Sequence, residues 1–100
     1  MQNTSASKES ASSICIYAHI KEKVIPVACG PGSQRIKWLG HVAIARYDDK
    51  NYQGWLDLGV PASIELQDGT PLELGQVIKD VLRDEMHVVV TPSLSLSDFY

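Results

Sequence analysis

The sequence predicts an α+β fold, a mixed four- to five-stranded sheet packed on one main helix. Three observations carry that reading. Apolar residues alternate with period two near the N-terminus, which is the signature of a half-buried strand. A helical stripe follows in the middle of the chain. The C-terminal third, SIELQDGTPLELGQVIKDVLRDEMHVVVTP, reads strand, Asp-Gly turn, short amphipathic helix, polar turn, strand.

Ser13 to Ile20 is the first strand, with Ile14, Ile16, Ala18 and Ile20 alternating with Cys15, Tyr17 and His19. Lys21-Glu22-Lys23 turns the chain into a second strand, Val24 to Cys29. Pro26 has no amide hydrogen, so this strand belongs at a sheet edge with that nitrogen facing out. Gly30-Pro31-Gly32-Ser33 breaks it, with Ser33 as the helix N-cap. Gln34 to Tyr47 is the main helix, with Ile36, Leu39, Ala43 and Tyr47 on one face and Val42 beside them. Gly40 costs that helix about 1 kcal/mol against alanine, which close packing on the sheet would explain.

Residues 51–62 form an irregular connection with Trp55, Leu56 and Leu58 as core anchors. Ser63 to Leu66 is a third strand, turned by Asp68-Gly69. Leu74 to Leu82 is a short helix presenting Leu74, Val77, Ile78, Val81 and Leu82 inward. Arg83-Asp84-Glu85 turns the chain into His87 to Thr91, whose unbroken valine run suits a central strand covered on both faces. Residues 1–12 and 93–100 read as a disordered and a flexible tail around one domain over 13–92.

The strand–strand–helix–strand–short helix–strand order is similar to that of the β-grasp, and over residues 13–92 the chain resembles the ubiquitin-like superfamily. The local likeness lies in LQDGTPLELGQVIKDVLRDEMHVVVTP, which looks like the Asp-Gly turn, short helix and last strand of such domains. It also resembles the end of doublecortin-like domains. The resemblance implies a first and a last strand side by side in parallel. It implies a protein-interaction or scaffold module without catalytic activity, or alternatively a cytoskeletal binder of microtubules. Conjugated modifiers of this superfamily carry Gly-Gly after the last strand, whereas this chain continues Thr91-Pro92-Ser93, so a conjugated tag is not expected.

Composition narrows the function classes. Net charge is −3, with +4 over residues 1–47 and −7 over 48–100. That gives no overall drive toward nucleic acid, while the dipolar distribution suits electrostatic docking or self-association. There is no run of the roughly 18 apolar residues that a membrane span needs. The first residues lack the apolar core of a signal peptide, which points to a cytoplasmic chain. Cys15 and Cys29 read as buried free thiols.

No catalytic, cofactor or metal site is expected. Gly30 to Arg35 precedes a helix but lacks a phosphate-loop Gly-Lys-Ser/Thr. His19, His41, His87 and the two cysteines lack zinc-site spacing. Asp48-Asp49 and Asp84-Glu85 read as exposed turn acids. The candidate partner-binding residues are Lys21, Lys23, Arg35 and Lys37, grouped as one basic patch for an acidic protein tail such as that of tubulin, or for an anionic headgroup. Trp38 completes the set. It is an interface anchor if exposed and core if the helix is rotated.

Overall fold

The structure, a computed structural model, describes residues 13–94. The two tails read from the sequence lie outside it, apart from residues 93–94. The elements are β1 (Cys15–Ile20), β2 (Lys23–Ala28), α1 (Ile36–Arg46), α2 (Trp55–Leu58), β3 (Pro61–Leu66), β4 (Pro71–Leu72), α3 (Ile78–Val81) and β5 (His87–Pro92). They form a mixed five-stranded sheet of order β2-β1-β5-β3-β4, with α1 packed on one face. β1 and β5 pair in parallel at the centre, and the other pairings are antiparallel. Among the described residues, no helix is long and apolar enough to cross a membrane.

Alternation decides which side chains meet α1. Ile16, Ala18 and Ile20 of β1 are buried on the helix side with Ile25 and Val27 of β2, Val88 and Val90 of β5, and Ile64 of β3. Facing them are Ile36, Leu39, Ala43 and Ile44 of α1. Each large apolar side chain so buried contributes about 1.5–3 kcal/mol. Ile44 was outside the expected stripe. It belongs because Gly40 and Ile44 form the second row of a two-row helical face.

Pro26 sits where its chemistry requires. β2 is an edge, and the Cys29 amide donates to the Ile14 carbonyl of the β1 side at 2.8 Å. By alternation, Pro26 therefore points its missing donor away from the sheet. The Arg46 guanidinium covers its carbonyl at 3.4 Å. The other edge, β4, is two residues long and also carries a proline. Both edges are thus protected against strand addition.

Gly40 explains the cost it imposes on α1. A Cβ there would lie 2.7 Å from Pro61 Cβ and 2.8 Å from Ile64 Cδ1. The expected result for Gly40→Ala is a net loss of about 1 kcal/mol in urea unfolding. Crowding of about 1–3 kcal/mol exceeds the gain in helix propensity of about 1 kcal/mol.

Five expectations are corrected. α1 starts at Ile36 after an extended Arg35, with no side-chain cap from Ser33. Its first amides are instead satisfied by tertiary contacts, Ile36 N to Gln76 O at 2.8 Å and Lys37 N to Leu74 O at 2.9 Å. Those same carbonyls are lost to any local helix, and Val77 bridges Arg35 as a short antiparallel pair. The helix expected over Leu74–Leu82 is therefore only the turn α3, which buries Ile78 with the following Leu82. Trp55 and Leu56 are exposed, and only Leu58 of that group enters the core. Residues 93–94 are not a loose end, because Ser93 N donates to Val60 O at 2.7 Å and Leu94 N to Leu58 O at 2.9 Å. β5 is central as expected, but among the described residues no layer packs on its second face, and His87 and Val89 there are half-buried.

Candidate functional site

The four basic candidates do not form one patch. Lys21 and Lys23 lie at the β1–β2 turn, where the Lys23 ammonium donates to the Tyr47 carbonyl at 2.8 Å and sits 4.6 Å from the Tyr47 ring centre. Arg35 and Lys37 lie at the other end of α1, where Arg35 Nη1 donates to Gly75 O at 2.6 Å. At 1.5 Å per residue, α1 separates the pairs by roughly 16 Å. The reason is topological. β2 carries the chain away from the turn before α1 begins, and α1 runs back, so its C-terminal end meets the turn. Trp38 is half-buried and packs against the core cluster, at the margin between the two roles read for it.

The surface that stands out is the α1–β3 connection. Tyr52 is 61% exposed, Trp55 50% and Leu56 60%, with Val60 and Leu94 also exposed. Such side chains are ordinarily core material, and here they lie exposed together on and beside one short segment. The segment is firmly mounted. One Asp48 carboxylate oxygen accepts the amides of Lys50 and Asn51 at 3.1 and 3.3 Å, and the other accepts that of Gln53 at 3.3 Å. Gly54 N donates to Ala45 O at 3.1 Å, and Leu58 is buried. Ser93 and Leu94 close over Gly59, whose φ is +78°. Tyr52 itself has φ +57°, an uncommon conformation for a bulky residue.

The amides of Lys50 and Asn51 hold the Asp48 carboxyl below its ordinary value, with Gln53 and Lys23 helping. A depressed native pKa means that the unfolded chain binds the proton more readily. The stabilisation is therefore present above the unfolded value near 3.8 and is lost as pH falls through the lower native one. Glu22, which accepts from the Tyr47 hydroxyl, and Asp68, held by the Thr70 amide, shift in the same direction. The expected result is a urea midpoint that falls in acid and, in Asp48→Asn, a smaller acid-dependent fall starting from a lower neutral value. Urea midpoints from about pH 2 to pH 6 check it.

The open face of the sheet carries a second group that sequence spacing did not reveal. Tyr17 and His87 stack with ring centres 4.9 Å apart, and His19 Nε2 lies 2.8 Å from His87 Nδ1. The Gln67 side-chain amide nitrogen lies 3.5 Å from His19 Nε2. Only the parallel register that sets Tyr17 beside His87 brings these rings together. Neighbouring Cys15, then partial burial and Glu85, raise the Tyr17 phenol above its ordinary value.

Burial pushes the Cys29 thiol up to about 11, which keeps it protonated and weakly nucleophilic. Cys15 and Cys29 are both free, and alternation puts their side chains on opposite faces. Gly30-Pro31-Gly32-Ser33 leads to a helix start whose first amides are already occupied by Gln76 and Leu74. Asp84 accepts the Cys15 amide at 2.8 Å. Among the described residues, no group of three or more His, Cys, Asp or Glu side chains is arranged to hold a metal ion. A scan against protein-family models gave no match, and a search of curated proteins gave none either.

Proposed function

We propose that this chain is a ubiquitin-like, β-grasp interaction module that binds a protein partner through the α1–β3 connection and carries out no catalysis. The observation that carries the proposal is the exposed Tyr52, Trp55 and Leu56 on a segment held by Asp48 and Gly54. Aromatic anchors on a preformed surface contribute most to protein–protein affinity, because little ordering entropy is lost on binding. The strand order β2-β1-β5-β3-β4, with parallel central strands and one packed helix, supports the superfamily reading. The Lys23 ammonium donates to the carbonyl of Tyr47, the neighbour of Asp48, so the basic pair Lys21 and Lys23 flanks the foot of this surface. Arg35 and Lys37 lie away from it.

Site-specific photo-crosslinking in cells tests the proposal. A photoreactive residue at position 56 is expected to yield a discrete protein adduct. One at Val24, an exposed apolar position on β2, is expected to yield none. Equal adducts from both positions, or none from position 56, would contradict the assignment.

A further inference from the structure

The geometry points to a two-histidine site for Cu(II) on the open face of the sheet, formed by His19 and His87. Three features support it. The first is the separation of the ligand atoms. His19 Nε2 and His87 Nδ1 are 2.8 Å apart. With metal–nitrogen bonds of about 2.0–2.1 Å, ligands at a right angle lie about 2.9 Å apart and tetrahedral ones about 3.4 Å. That spacing, set here by a hydrogen bond between the rings, is already close to what two imidazoles on one ion need, and among the first-row divalent ions imidazole nitrogens hold Cu(II) most tightly.

The second feature is the mounting. Both rings project from the paired central strands, with His19 opposite Val89 and His87 opposite Tyr17. The Tyr17 ring stacks on His87 at 24° and fixes its plane. Rings held by the scaffold lose little freedom on binding a metal, and partners beyond the ligands tune the site.

The third is the supply of lone pairs. In the ion-free pair, one nitrogen donates its hydrogen to the other. When that ring changes tautomer, its proton moves to its far nitrogen, His19 Nδ1 or His87 Nε2. Both near nitrogens then present lone pairs, and no net proton is released from the neutral pair. Gln67 adds an oxygen donor, because turning its amide places the oxygen where the nitrogen now lies, 3.5 Å from His19 Nε2. Water fills the other positions.

Titration of the full chain with Cu(II), buffered as its glycine complex, tests the site. The expected results are one ion per chain, nuclear hyperfine coupling to two imidazole nitrogens in the electron paramagnetic resonance spectrum, and paramagnetic loss of amide signals centred on residues 17–20 and 86–89. His19→Gln and His87→Gln are each expected to bind at least roughly 100-fold more weakly, because even outer partners of a ligand change affinity 10–100-fold. His41→Gln is expected to match the unmodified chain. Unchanged affinity in both variants would place the ion elsewhere and overturn the proposal, as would coupling to fewer than two imidazoles. If a variant fails to fold, the nitrogen count on the unmodified chain decides.

Discussion

Gly54→Ala is expected to lose about 3 kcal/mol, the upper end for a methyl group forced into a packed site. A Cβ at Gly54 would lie 2.0 Å from the carbonyl oxygen of Ile44, which is helix backbone and cannot rotate away. The connection would have to lift from the last turn of α1. The hydrogen bond from Gly54 N to Ala45 O would break, and the Leu58 anchor would shift. The contrast with Gly40→Ala is instructive, because there the obstacles are side chains and helix propensity offsets part of the cost. A urea titration comparing the two variants checks both magnitude and order. Equal midpoints for Gly54→Ala and the unmodified chain would mean that the connection is not clamped to α1.

The double variant Trp55→Ala, Leu56→Asp is expected to weaken partner binding by more than roughly 30-fold, since truncating a buried aromatic anchor costs about 2 kcal/mol or more. Its stability is expected to stay within about 0.5 kcal/mol of the unmodified chain, as for surface substitutions in general. That pairing separates an interface from a core. Both side chains are at least half exposed, so the fold gains little from them. Isothermal titration against the crosslinked partner, with a parallel urea titration, gives both quantities. A large stability loss would return the two residues to the core role that their composition suggests.

How much of this was legible in the sequence depended on whether the deciding contact was local. The alternation over 14–20 and the valine run over 88–90 identified β1 and β5, whereas their parallel pairing was anticipated only from the resemblance to the β-grasp. Pro26 marked an edge, and Gly40 marked a close approach, because each lacks an atom that the fold leaves no place for. The start of α1 was not legible. Ser33 is a good cap by type, but carbonyls from Leu74 and Gln76 reach the helix from forty residues away. The same contacts unwound the expected second helix. Trp55 and Leu56 were read as core because apolar types are buried by default, and only the three-dimensional path of residues 48–60 exposes them. The His19–His87 pair depends on a register that no local pattern encodes. The grouping of Lys21 and Lys23 with Arg35 and Lys37 failed because charge type says nothing about which end of a helix a turn will meet.

In the proposed function, residues 52–60 are shaped for contact with a partner and not for the fold alone. Tyr52 tests it most directly, because an exposed tyrosine at φ +57° is a poor choice for stability. Asparagine tolerates that conformation far better. The measurement is the urea stability of Tyr52→Asn together with its affinity for the crosslinked partner. The expected result is stability unchanged or raised by about 0.5 kcal/mol, with affinity reduced. A loss of stability, or a gain with affinity intact, would contradict it.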